Sequence, residues 1–397
     1  MSTFERRPAA VATGWYGTED CDLEAFRAVV EEPTRLADYP HADAVVENVL
    51  VYGPGLVDHV RAAQRRRAVQ VEIAAALLDG PGVVVFKHAF EDHVVDAATR
   101  AFDRLIADQN ASGAVTGDHF AEAGANDRVW GALDKLAQAA PDLFVSYYAN
   151  DVLALASEAW LGPNYQVTSQ VNVVNPGGQA QVAHRDYHLG FMDRAQAEAY
   201  PALVHALSPT LTLQGAVAHV DMPIETGPTL YLPHSQKYGP GYVAYHDPAF
   251  REYFEGHHTQ LPLDKGDAVF FNPALFHGAG TNKTTDVRRM ANLLQVSSAF
   301  GRAMESVDST SICRAVFPAL RSRKAQGASD REIDNVVTAA AEGYPFPTNL
   351  DLDRPVGSLA PPSQADLVRQ ALAEGWEPTG LSQALDAQQG RRRSQVG

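Results

Sequence analysis

Segments with a two-residue period are gathered between residues 165 and 300, and segments with a helical period lie before and after them. Successive side chains of a strand point to opposite faces, so a period of two marks a half-buried strand. YQVTSQVNVV (165–174) is the clearest case. Tyr165, Val167, Val171 and Val173 share one side, and Gln166, Thr168, Gln170 and Asn172 share the other. NPGG then turns the chain, and QVAHRDYH reads as the next strand. LTLQGAVAHV, PTLYLPHS and DAVFFNPALFHGAG follow, each bounded by Gly, Pro or Asp, and RRMANLLQVSSAF (288–300) closes the block. Strands kept apart from helices argue against alternating strand–helix units. They predict a mainly β core, a sandwich or barrel wrapped by helices. No glycine-rich phosphate loop follows a strand, so the nucleotide-binding folds gain little support.

Upstream, Ile73, Ala74, Leu77 and Leu78 follow helical spacing until Gly80-Pro81-Gly82 stops them. VVVFKH (83–88) reads as a buried strand. Glu91 and Asp92 open a second helix, whose Val94, Val95, Ala98, Phe102, Leu105 and Ile106 lie on one face. Downstream, Ser329 with Glu332 and Ser363 with Asp366 are capping-box signatures. We read residues 1–397 as a single domain: an N-terminal extension (1–57), a strand core with flanking helices (58–300) and a helical extension (301–397). The last could serve a homo-oligomer interface.

The formal net charge of −16 argues against a chain built to coat nucleic acid or an anionic membrane. The basic RRRSQVG at the C-terminus reads as a solvated tail. Cys21 and Cys313 form no paired spacing, so neither a disulfide framework nor a zinc ribbon is encoded. MSTFERRPAA lacks an apolar signal core, and no apolar run reaches membrane-spanning length. A cytoplasmic location is expected.

His184-Arg185-Asp186 matches the tripeptide of a kinase catalytic loop, but Phe191 stands where that loop needs Asn, and no Asp-Phe-Gly follows. Ser235 lacks the flanking glycines of a nucleophile elbow. On a strand, His184 and Asp186 project together and Arg185 points away. An imidazole beside a carboxylate supplies two metal ligands, and a third from another strand would complete a two-histidine, one-carboxylate face with open positions. Taken alone, the tripeptide fits a His–Asp pair in a polar turn as well. The segment LPLDKGDAVFFNPALFHGAGTNKTTDVRRM adds His277 beside Gly278 and, eleven residues later, Arg288 at the start of another strand. An arginine fork there suits a dicarboxylate. The amides of Gln170, Asn172 and, less directly, Gln214 suit a wet barrel interior or solvent. His188 is a candidate for substrate contact, and His257-His258 read as surface residues.

These pieces resemble the phytanoyl-CoA dioxygenase family of iron(II)- and 2-oxoglutarate-dependent oxygenases. The matching stretches are HRD (184–186), ETGPTLYLPHSQK (225–237), GDAVFFNPALFHGAG (266–280), Arg288 and, upstream, ALLDGPGVVVFKHAF (76–90). The resemblance spans roughly 58–300 and implies a double-stranded β-helix, a jelly-roll relative. It implies His184, Asp186 and His277 as catalytic iron ligands, and Arg288 on the distal carboxylate of 2-oxoglutarate, with Arg289 as the alternative if the strand phase shifts by one. Asn172 and Gln170 are further candidates for binding the cosubstrate. The implied reaction uses O2, releases succinate and carbon dioxide, and hydroxylates an unactivated C–H bond of a small molecule. Desaturation or cyclisation stays open, and a halogenase would lack Asp186. PHSQ (233–236) departs from the family's Pro-Gly-Ser-His, which leaves the substrate unnamed. The segments 113–135 and 187–210 are candidates for a lid. A zinc or manganese hydrolase or isomerase on the same ligands, and a non-catalytic cupin-like binding protein, are the rival readings.

Overall fold

Eleven strands form two sheets among the described residues, 14–112 and 125–394, of this computed structural model. They are β1 (Ala44–Val46), β2 (Val49–Tyr52), β3 (Val83–Phe86), β4 (Asn126–Val129), β5 (Gln166–Val174), β6 (Thr212–Ala218), β7 (Leu230–Leu232), β8 (Thr259–Gln260), β9 (Ala268–Phe271), β10 (Phe276–Gly278) and β11 (Arg289–Ser297). The large sheet runs β1-β2-β3-β9-β6-β11-β5-β4, and the small one runs β10-β7-β8. Among the described strands, only β2 and β3 pair in parallel.

The alternation of the sequence decides which face each side chain takes. On β5, Val167, Val171 and Val173 enter the main core, with Met290, Leu294 and Val296 of β11 beside them. The helix Asp92–Ala111 lays Val95, Ala98, Phe102 and Ile106 into that core. Each of these Val, Leu, Ile, Met and Phe side chains, fully buried, contributes about 1.5–3 kcal/mol. Gln170, Asn172, Arg289, Ala291, Leu293 and Gln295 take the opposite face and line a cavity between the sheets. Tyr231 of β7 and Phe271 of β9 meet edge-on there, ring centroids 5.1 Å apart, and join the two sheets.

Two glycines are required where they stand. A Cβ on Gly215 of β6 would lie 2.6 Å from the Phe270 ring. Gly266 has φ +87°, and a Cβ there would meet the Phe90 carbonyl at 2.5 Å. That turn delivers Asp267, fully buried, to the backbone N–H groups of His88 (2.8 Å) and Asp264 (2.7 Å) and to the Lys87 ammonium. It anchors the start of β9.

Several expectations need correcting. Helices account for far more residues than strands, so "mainly β" is too strong; the fold is a sheet core enclosed by many helices. QVAHRDYH forms no strand but a single bridge, His184 to His277, because Tyr187 and His188 adopt φ of +61° and +47°. The segment 1–57 is more than an extension outside the strand core: its β1 and β2 continue the large sheet. The C-terminal arginines are not all solvated. Arg391 meets Asp353 (3.0 Å) and Arg392 meets Glu342 (2.9 Å). Both capping boxes form as read, at Ser329–Glu332 and Ser363–Asp366. Of the two lid candidates, residues 113–124 lie outside the described residues, and 187–210 holds short helices. Among the described residues, no helix is long and apolar enough to cross a membrane.

His219, just beyond β6, is 1% exposed, between the Thr99 hydroxyl (2.9 Å) and the Tyr147 hydroxyl (3.0 Å). Burial pushes its imidazole down to about 3. The folded state therefore holds it neutral while the unfolded chain takes up a proton below about 6.5. The stability this gives is complete above that pH and is lost as pH falls towards 3, at up to about 1.4 kcal/mol per pH unit. Urea unfolding from pH 7 to 4 is expected to show a shallower pH slope in His219→Gln than in the wild type. Equal slopes would refute the assignment.

Candidate metal centre

His184, Asp186 and His277 each place one ligand atom within 4.8 Å of the others. Backbone bonds put them there. His184 N–H donates to the His277 carbonyl (3.0 Å), His277 N–H donates back (3.1 Å), and Asp186 N–H donates to the Pro273 carbonyl (3.0 Å). The bridge replaces the expected strand, and it still turns His184 and Asp186 to the same side.

Both imidazoles are oriented alike. Nδ1 of His184 lies 2.8 Å from the Val182 carbonyl, and Nδ1 of His277 lies 2.9 Å from the Leu275 carbonyl. A carbonyl only accepts, so each Nδ1 carries the proton and each Nε2 presents a lone pair. Those lone pairs converge on Asp186, His277 Nε2 at 3.2 Å from Oδ2 and His184 Nε2 at 3.7 Å from Oδ1. Two lone pairs facing a carboxylate repel unless a cation lies among them. The donor set thus fits a divalent transition metal, and its outer partners are those that metal-binding histidines use. Burial alone would raise the Asp186 carboxyl. The neighbouring imidazoles of His184 and His277, when they carry a second proton, and the amide of Gln214 overcome it and hold the group well below the usual carboxylate range.

The triad opens on a cavity of about 200 Å³. Its walls include Gln170, Asn172 and Gln214, which the structure brings beside the triad. Gln170 donates to Gln295 Oε1 (3.2 Å), while Asn172 Oδ1 and Gln214 Oε1 are buried without a hydrogen-bond partner among the described residues. Arg289, 7% exposed, is also in the wall. Burial lowers its pKa to about 10, against the opposing effect of Tyr231, so it stays charged at neutral pH. Among the described residues no carboxylate pairs with it.

Arg288 does not enter the cavity, contrary to the first choice made from spacing. It is half exposed and lies near Asp103 (3.5 Å) and Asp127 (3.6 Å). The reason is parity. Met290, Leu294 and Val296 face the helices, so Arg288 shares their side and Arg289 takes the other.

Arg185 points away from the cavity, as expected, and is 2% exposed. It donates to the carbonyls of Ser235 (2.6 Å) and Tyr238 (3.1 Å), and its guanidinium lies over Tyr242. The loop 235–238 is thereby tied to the back of the ligand segment. His234 has φ +68°, at the place where the resembled motif carries glycine. His188 contacts Ser208 (3.2 Å) outside the triad, and His257 and His258 bond backbone carbonyls of their own helix. Sequence reasoning missed Gln295, and also Thr229 and Phe271 in the cavity wall. The parity of β9 and β11 was the available signal for Phe271 and Gln295.

The sequence profile of phytanoyl-CoA dioxygenase matches residues 78–290, more than half of the chain. The chain belongs to this family. The match takes in all three triad residues and both Arg288 and Arg289. Among solved structures, the chain is similar to HygX from Streptomyces hygroscopicus, crystallised with nickel, 2-oxoglutarate and hygromycin B. The identity is 16%, the TM-score 0.44, and the match covers 59% of this chain and 90% of that one. It is also similar to the non-heme alpha-ketoglutarate-dependent carbocyclase SnoK from nogalamycin biosynthesis, at 18% identity and TM-score 0.43, covering 59% and 87%. The epimerase SnoN from the same biosynthesis matches at 20% identity and TM-score 0.40, covering 59% and 82%. No curated protein matches the chain.

Proposed function

We propose that this member of the phytanoyl-CoA dioxygenase family is an iron(II)- and 2-oxoglutarate-dependent oxygenase. In this reading it hydroxylates an unactivated C–H bond of a small molecule and releases succinate and carbon dioxide. The observation that carries the proposal is the presence, in one cavity, of a two-histidine, one-carboxylate face and a buried arginine that pairs with no carboxylate among the described residues.

When bound, iron and 2-oxoglutarate with O2 supply the oxidising chemistry. The protein supplies binding and placement. His184, Asp186 and His277 would hold the metal. Arg289 receives the distal carboxylate of the cosubstrate with its fork and stays charged throughout. Phe271, Val269 and Leu293 form an apolar part of the wall that keeps water from the reacting centre. Asn172 and Gln214 present unpartnered carbonyl oxygens, and a buried acceptor left unpaired costs about 1–3 kcal/mol. A substrate with O–H or N–H donors satisfies them, and a bare hydrocarbon chain does not.

The test is anaerobic addition of iron(II) and 2-oxoglutarate. The expected result is the weak visible charge-transfer band of the chelate, followed in air by succinate release in a screen of hydroxyl- or amine-bearing compounds. Absence of the band, with zinc found by metal analysis, would instead favour a hydrolase on the same ligands.

A further inference from the structure

We propose that Gln214 is a positioning residue for the metal-binding carboxylate, gripping Asp186 Oδ2 so that Oδ1 is left without a donor. The inference rests on the metal reading above and adds a residue to it. Gln214 lies in the interior of the large sheet, opposite Gln295 of β11 on one side and Phe271 of β9 on the other. Its backbone is therefore pinned from both edges. Asp186 is the opposite case. It follows an isolated bridge and precedes Tyr187 at φ +61°, so no strand ladder fixes the direction of its side chain.

The amide of Gln214 does. Its Nε2 donates to Asp186 Oδ2 and lies 3.4 Å from His277 Nε2. A carboxylate only accepts, so the amide is obliged to turn its N–H groups to Asp186. Its carbonyl then faces away, and Oε1 is the atom left buried without a partner. Both imidazoles spend their Nδ1 protons on backbone carbonyls. With the Nδ1 protons so placed, Gln214 donates to Asp186 without needing a proton on either Nε2.

Outer partners of metal ligands typically control about 10–100-fold in metal affinity. The experiment uses the full-length metal-free protein and cobalt(II) alone, with the dissociation constant read by chelator competition and the site read by its visible absorption. Gln214→Met keeps length and removes the donor; Gln214→Asn keeps the amide but is one methylene too short to reach. Both are expected to bind cobalt(II) about 10–100-fold more weakly, with a changed visible spectrum and a wild-type melting temperature. A purely structural role for Gln214 would move the melting temperature and leave the spectrum alone. Wild-type cobalt(II) affinity and spectrum in both folded variants would overturn the inference and leave the metal reading standing. A wild-type protein that binds no cobalt(II) would overturn both.

Discussion

Alanine at position 277 is expected to leave the fold intact and to abolish metal binding. The backbone of His277, not its side chain, makes the two hydrogen bonds that join it to His184, so truncation leaves that bridge in place. The lost ring contacts are those with Phe271 (centroids 4.9 Å apart) and His184 (4.5 Å), beside a cavity that water can fill. What is removed is one of three ligands. The effect should lie well beyond the about 10–100-fold that loss of an outer partner costs. Metal analysis after anaerobic reconstitution, beside a circular-dichroism melt, reads both quantities. Stoichiometric iron in a folded His277→Ala protein would remove His277 from the centre.

The second large effect separates two neighbouring arginines. In Arg289→Ala, apparent 2-oxoglutarate affinity should fall by about 2–5 kcal/mol, the usual cost of truncating one side of a buried charge pair. At about 1.4 kcal/mol per tenfold, that is a loss of roughly 30-fold to more than 1,000-fold. Arg289→Lys should recover part of it, since charge returns without the fork. Arg288→Ala should stay within about twofold, because exposed ion pairs such as those with Asp103 and Asp127 contribute about 0–1 kcal/mol. Titration of the charge-transfer band with 2-oxoglutarate measures all three. The reverse ranking, with Arg288→Ala the damaged variant, would restore the assignment made from spacing.

That assignment shows where sequence reading succeeds and where it slips. The triad was legible because its members are short-range signals, His-x-Asp on one side and a strand-end His-Gly on the other. Arg288 was chosen by counting from His277 across residues 278–287, where most of the chain is loop rather than ladder. Asn282 organises that loop by donating to the Val174 and Val287 carbonyls, and it breaks the strand phase on the way. Parity counted backwards from Met290, Leu294 and Val296 selects Arg289 instead. Gln214 was harder to see. Its contact with Asp186 depends on which strands neighbour β6, and cross-sheet register leaves no local trace. The polar face of β5 was visible as alternation, but only the second sheet shows that it faces inward. The strand proposed over QVAHRDYH failed because periodicity says nothing of two successive positive φ values.

The reciprocal bond between His184 and His277 has a further consequence, for the order in which the protein is made. Asp186 and His277 are 91 residues apart in the chain, and β6, β7, β8 and β9 lie between them. Contacts so distant in sequence must close a long loop before they are rewarded, which slows their formation. A nascent or half-folded chain therefore offers the ion an isolated His-x-Asp and nothing more. Loading is expected to follow folding, so refolding from denaturant should run at the same rate with or without a chelator in the buffer.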